Sequence, residues 1–194
     1  METEGTRARL IAATSALLEV QGYHATGLNQ ILQESAAPKG SLYHHFPGGK
    51  EELAAEAVSV AGQAITSDLD TIVEKDVDFG TALSAITSVF RERLQTSDFQ
   101  KGCPLATVAL EMAATSDPLQ NACRDAYHAW QERIEHSLIA SYGWKPARAS
   151  AIALFVLSAI EGALLLCRVE RSTRPLEQVV EELRLLLEGE AKAR

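Results

Sequence analysis

Cysteine, proline and glycine are all scarce in this 194-residue chain, which holds 3, 6 and 12 of them respectively. The cysteines, Cys103, Cys123 and Cys167, are odd in number and lack C-x-x-C spacing, which excludes a disulfide framework and a zinc knuckle. They read as buried thiols of a reducing, cytoplasmic protein. The few prolines and glycines stand between long apolar-periodic segments, a distribution that excludes a β-sandwich or barrel. No apolar run suits a membrane. The longest, Ala149 to Cys167, carries Glu161 and is interrupted by Ser150, Ser158 and Gly162, so a core or interface helix is expected there. No secretion signal is read in the acidic start Met1-Glu2-Thr3-Glu4. Phosphate loops, nucleophile–base arrangements and metal-ligand helix motifs are also missing. His44 and His45 are adjacent, hence about 100° apart on a helix, and cannot share a metal as an i, i+4 pair does. Enzyme activity, a metal and a cofactor are therefore not expected.

What is present is an ordinary globular balance, 46% hydrophobic and 23% charged, with a formal net charge of −8. The charge is unevenly spread. Residues 1–50 hold Arg7, Arg9, Lys39 and Lys50 against Glu2, Glu4, Glu19 and Glu34, so that stretch is neutral and the remainder carries the whole deficit. Helical periodicity runs throughout and predicts an all-α chain of about nine helices. The first spans about 6–21, with Leu10, Ala13, Leu17 and Val20 on one stripe and Gly22 as its stop. Two short helices follow at about 28–35 and 38–45. Gly48 and Gly49 open a long fourth helix whose apolar face is Leu53, Ala57, Ala61, Ile65, Leu69 and Ile72. Asp78 is placed to cap a fifth helix, and the segment from Ser97 to Cys103 is irregular. Pro104, Pro118, Pro146 and Pro175 mark the later helix starts, and Gly143 and Gly189 the stops.

The two short helices carry the most specific signal. Leu28, Ile31 and Leu32 share a face of one, Leu42 and Phe46 a face of the other, and the first long helix supplies the surface on which both pack. The outer face of the second then offers Lys39, Ser41, Tyr43 and His44, groups that donate to phosphates and base edges. The set Gly22-Tyr23, Thr26, Ile31, Gly40-Ser41-Leu42-Tyr43-His44-His45-Phe46 and Lys50-Glu51-Glu52-Leu53 resembles the helix-turn-helix head of the TetR family of transcription regulators. The wording from Ala37 to Glu51, with Gly102-Cys103-Pro104-Leu105 later, is similar to the LmrA/YxaF-type branch. The turn departs from the family pattern, with Ala36, Ala37 and Pro38 where glycine, an aliphatic residue and serine are usual. Ala36 in a left-handed turn costs about 1 kcal/mol relative to glycine. Pro38 removes an N–H that a phosphate would otherwise meet.

The resemblance implies a head over residues 1–50, extending to about 64 as a family domain, and an effector-binding and dimerisation body over 51–194. It implies phosphate contacts from Thr26, Tyr43 and Lys50, and close approach to DNA by Pro38, Lys39, Gly40, Ser41 and His44. It also implies a homodimer on a palindromic double-stranded operator, with repression as the commoner output. In the body, the last two helices read as an association surface through Ile152, Val156, Ile160, Ala163, Leu176, Val179, Val180, Leu183 and Leu187. A pocket for a small lipophilic or aromatic effector is expected from Phe90, Cys103, Thr107, Glu111, Met112, Tyr127, Trp130, Phe155, Ser158 and Glu161. Two rival readings keep the DNA-binding head but replace the effector, one with thiol redox sensing and one with a protein partner.

Overall fold

A computed structural model describes residues 2–73 and 77–192, and among them every regular element is a helix. The nine helices are α1 (Glu2–Ala25), α2 (Leu28–Ser35), α3 (Lys39–His45), α4 (Lys50–Val73), α5 (Phe79–Thr96), α6 (Ala106–Met112), α7 (Asp117–Tyr142), α8 (Pro146–Glu170) and α9 (Arg174–Lys192). They fall into two compact units. One takes the chain up to Ala64 together with Pro104–Tyr127, and the other takes Ile65–Cys103 with everything from His128 onward. Both α4 and α7 thus contribute residues to each unit.

In the first unit α1 packs against α2, α3 and α6. Its core holds Leu10, Leu18, Ile31, Leu42, Phe46, Leu53 and Leu119, each at 1% exposure or less. Each such side chain stabilises the fold by roughly 1.5–3 kcal/mol when removed from water. Gly22 adopts φ 76 and ψ −175, which breaks α1 geometrically before its last turn. Ala36 closes α2 in the left-handed region (φ 48, ψ 37), and its N–H and that of Ala37 return to the carbonyls of Gln33 and Leu32 at 3.2 Å. Gly48 and Gly49 lead into α4, where the Glu52 carboxylate reaches back to the Gly48 N–H at 2.7 Å. Gly62 lets α4 pass close to Ala126 of α7.

In the second unit α8 lies along α9, and α5 packs on both. Phe79, Leu83, Leu138, Trp144, Ala149, Ile152, Ala153, Val156, Leu183 and Leu187 form one buried cluster. Asp78 caps α5, accepting from the Thr81 N–H at 3.0 Å and the Thr81 hydroxyl at 2.7 Å. Gly189 does not stop the last helix, which continues to Lys192. Pro104 precedes α6 rather than opening it, while Pro118, Pro146 and Pro175 do lie in first turns.

Of the nine residues expected at a dimer interface, six are buried within this chain and three are half-buried. Ile152, Val156, Ala163, Leu176, Leu183 and Leu187 are buried, and Ile160, Val179 and Val180 pack against the same cluster. The exposed apolar face of this unit is the opposite one, comprising Leu154, Phe155, Leu165, Leu166 and Val169 of α8 with Leu185 and Leu186 of α9. The physical reason is saturation: α8 is apolar around its circumference, so periodicity cannot assign its sides. Among the described residues, α8 is also the one helix long and apolar enough to cross a membrane, with a mean hydropathy of 2.2 and a third of that stretch buried.

Candidate DNA interface and effector cavity

The α2–turn–α3 segment positions the first candidate site. Ile31 and Leu42 are anchored in the core, which turns the other side of α3 outward. Pro38, Lys39, Gly40, Tyr43 and His44 are exposed there, and Ser41 is half-buried. Open space lies around Gly40, so nothing in the chain itself requires glycine at that position. Neither α2 nor α3 has a side-chain N-terminal cap. The Gly27 carbonyl instead accepts from the Ile31 N–H at 3.1 Å, and the Pro38 carbonyl from the Ser41 N–H at 2.9 Å.

The head's four cations are used unequally. Arg7 pairs with Glu56, and its guanidinium lies 5.3 Å from the centre of the Phe46 ring. Arg9 donates to the Ser35 carbonyl at 3.0 Å, closing the end of α2. Lys50 donates from Nζ to the Tyr23 carbonyl at 2.7 Å and sits 4.0 Å from the centre of the Tyr23 ring. Burial lowers its pKa, an effect partly offset by the nearby Glu111 carboxylate. Among the described head residues, Lys39 is the cation standing exposed on the outer face of α3.

Thr26 is fully buried, donating from its hydroxyl to the Gly22 carbonyl at 2.6 Å. It closes the α1–α2 joint in this conformation rather than facing solvent. Glu111 of α6 completes the same joint: one carboxylate oxygen accepts from the N–H groups of Tyr23 at 2.7 Å and His24 at 2.9 Å. The other oxygen stands where a Cβ on Gly22 would project. The positive φ thus strains any side chain at Gly22, and one there would displace the Glu111 carboxylate.

The second candidate site is a compact cavity of about 70 Å³ inside the second unit. It is lined by Ile65, Leu69 and Ile72 of α4; Phe79, Ala82, Leu83, Ile86 and Phe90 of α5; Trp130, Arg133, Ile134 and Ser137 of α7; and Val156, Leu157, Ile160 and Glu161 of α8. Its walls are nearly all hydrocarbon. Arg133 is held by Asp70, with Nε to Oδ1 at 3.0 Å. The Glu161 carboxyl is pushed above its ordinary range by burial, with a hydrogen bond from the Cys103 thiol pulling the other way.

Of the ten residues expected at an effector pocket, Phe90, Trp130 and Glu161 line this cavity, and Cys103 touches it through Glu161. Thr107, Glu111, Met112 and Tyr127 belong to the first unit. Phe155 and Ser158 are exposed on the apolar face of α8. The expected stripes lie on real helices, but α6 and the start of α7 fold with the head. Arg133, a cation on the α7 stripe that also carries Trp130, Ile134 and Ser137, is the sequence signal for this cavity wall. The cysteines offer little to a redox sensor, since all three are buried. Burial drives the Cys123 thiol up to about 11 and raises Cys167 as well, leaving both as unreactive thiols.

Comparison with known proteins agrees across the chain. Residues 10–57 match the family described as bacterial regulatory proteins, tetR family. Residues 80–182 match the transcriptional regulator LmrA/YxaF-like C-terminal domain. The HTH-type transcriptional regulator LmrA of Bacillus subtilis is 36% identical over 88% of this chain and 90% of its own length. YxaF of the same organism is 34% identical over 94% and 95%. A TetR transcriptional regulator from Legionella pneumophila superposes with a TM-score of 0.82 at 22% identity, over 92% of this chain and 95% of that one, which shows the shared fold.

Proposed function

The chain belongs to the TetR family of bacterial transcriptional regulators, in its LmrA/YxaF-like branch, and from that membership we propose that it is a repressor released from a palindromic operator by a small lipophilic effector. That it is a DNA-binding helix-turn-helix regulator and not an enzyme follows from the family itself. The observation that carries the finer reading is the outer face of α3. Lys39, Gly40, Tyr43 and His44 lie together and exposed on a helix whose other side is locked into the core. Such a helix enters a major groove and presents donors to base edges, with Gly40 permitting close backbone approach.

Two heads are needed for a palindrome, and the apolar face of α8 and α9 supports a two-fold dimer. Seven large hydrophobic side chains stand exposed there, the kind of patch that a monomer rarely leaves in water. Covered by a second copy, α8 is an interface helix of a cytoplasmic protein. The cavity supports the effector, since it is apolar and carries a few fixed polar groups. The helices α4 and α7, each shared between the units, supply covalent continuity from cavity to head. Release then requires that the effector bind the DNA-free dimer more tightly than the DNA-bound one.

The experiment is to select operator DNA from the organism's own genome, then titrate the complex with compounds that stabilise the protein thermally. The reading stands if a palindrome is recovered and a stabilising compound releases it. Selection of a single half-site, or of no sequence, sinks the dimeric operator reading. Stabilising compounds that leave the complex intact sink the release.

A further inference from the structure

We propose that the cavity of the second unit takes a small lipophilic amine, an aromatic or branched hydrocarbon group bearing one protonated nitrogen, with Glu161 as its counter-charge. The proposal rests on the reading of this cavity as the effector site and names the chemistry of what fills it. Phe90, Trp130, Ile134 and Leu157 offer hydrocarbon and ring faces, which sort for an apolar body but not for a charge. Among the described residues two ionic groups reach the lining, and they are not equivalent. Arg133 already has its carboxylate, Asp70, at 3.0 Å, so an anionic ligand would have to displace a formed ion pair. Glu161 meets the Cys103 thiol instead, a weak and neutral donor. Burial makes its charge costly and raises its pKa. A ligand ammonium supplies the missing charge in a low-dielectric setting, and the aromatic walls favour a cation beside them. The cavity volume of about 70 Å³ is well under the roughly 300–1,000 Å³ of drug-sized sites, so compact amines are the first class to test.

The test is a matched set, 2-phenylethylamine, 2-phenylethanol and phenylacetate, titrated calorimetrically into the full-length protein. The amine should bind at least about tenfold more tightly than the alcohol, the size of one charge-assisted contact, and phenylacetate weakest. Glu161→Gln should erase the amine's advantage and leave the alcohol unchanged, and Ile134→Trp, which fills the cavity, should abolish binding of both. Equal binding of amine and alcohol, preference for phenylacetate, an unaffected Glu161→Gln variant, or no binding by any of the three at millimolar concentration overturns the proposal. If the amine binds through Glu161 but leaves operator affinity untouched, the cavity's chemistry holds and its role as effector site fails.

A second inference stands on separate observations in the first unit. We infer that Glu111 is a positioning residue for DNA recognition, holding the α1–α2 joint from below. Its carboxylate gathers the Tyr23 and His24 N–H groups at 2.7 and 2.9 Å, and Lys50 takes the Tyr23 carbonyl at 2.7 Å, so one peptide is gripped by opposite charges. Gly22 supplies the left-handed φ and the space that the carboxylate needs. The entry to α2, and through α2 the aim of α3, depends on that grip. Glu111→Ala should weaken operator binding about tenfold or more, through removal of two charge-assisted hydrogen bonds, without changing the salt dependence that counts phosphate neutralisation. Glu111→Gln, which keeps an accepting oxygen, should recover affinity to within a few-fold, and it provides the readout if the alanine variant fails to fold. Unchanged affinity in Glu111→Ala, a flattened salt dependence, or a glutamine variant no better than alanine overturns the assignment.

Discussion

The short helix α3 and the long helix α8 are opposites. α3 has 7 residues and α8 has 25. In the short helix the two sides differ: Leu42 is buried, Lys39, Gly40, Tyr43 and His44 are exposed, and Ser41 and His45 are half-buried between them. Polarity alone therefore orients it. The long helix is apolar on all sides, so composition says that it is covered but not by what. Sequence patterns report orientation only where the two sides of an element differ in polarity.

The largest expected effect breaks the comparison on α8. Phe155, half-exposed, belongs to the outer face, and Val156, its neighbour, to the core. Phe155→Glu should dissociate the dimer in analytical ultracentrifugation and weaken operator binding by about a hundredfold or more, the avidity forfeited when two heads act separately. Val156→Ala should leave the dimer intact and lower unfolding free energy by roughly 1–3 kcal/mol in urea titrations. A dimer that survives Phe155→Glu but fails with Val156→Ala would return the interface to the side that periodicity predicts.

On α3 the effects are smaller and selective. Lys39→Ala should cost about 1–3 kcal/mol at the preferred operator and much less at unrelated DNA, because a base-edge contact carries discrimination. Lys50→Met should weaken all sequences alike. If Lys50 reaches a phosphate, the slope of log K against log salt flattens by about 0.9 for each phosphate no longer neutralised. If it acts through Tyr23, as its 2.7 Å bond to that carbonyl indicates, affinity falls at constant slope. Binding isotherms at several salt concentrations separate the two.

The same rule explains what is legible in the sequence. The all-helical class and the α2–turn–α3 geometry follow from periodicity and turn chemistry, and both short helices lie within a residue of expectation. Of the cavity lining, only Phe90, Trp130 and Glu161 are legible in the sequence as candidate pocket residues. Apolar stripes on α6 and early α7 look like pocket walls until their packing onto the head is known, since hydrocarbon stripes carry no address. Glu111 stands out in the sequence as a carboxylate beside an apolar stripe. Its partners are backbone N–H groups at Tyr23 and His24, far away in sequence and invisible to side-chain patterns.

Asp78, recognisable as a cap from sequence alone, gives a more modest test in the second unit. The Thr81 hydroxyl and N–H hold its carboxyl below the usual carboxylate range. Asp78→Ala should cost about 1 kcal/mol at neutral pH. A carboxyl whose folded pKa is depressed contributes fully above its unfolded value near 4 and loses that contribution as pH falls through the folded value. The gap between wild type and variant should therefore close in acid, as followed by urea titration from about pH 7 to about pH 3. A constant gap would assign the destabilisation to helix propensity rather than to the ionised cap.

The smallest effect concerns the turn that joins the two halves of the reading head. Ala36 holds φ 48 and ψ 37, a conformation that costs a Cβ-bearing residue roughly 1 kcal/mol. Its side chain is exposed, so removing it sacrifices no packing. Ala36→Gly relieves the strain but gives the unfolded chain more freedom to lose on folding. The balance should be a gain of about 0.5 kcal/mol in urea titrations. The informative quantity is operator affinity measured beside it. If the two backbone bonds to Gln33 and Leu32 at 3.2 Å fix the turn by themselves, glycine leaves affinity unchanged while stability rises. If affinity falls as stability rises, then the stiffness of alanine at this joint is part of how α3 is aimed, and a strained residue here serves recognition at the expense of the fold.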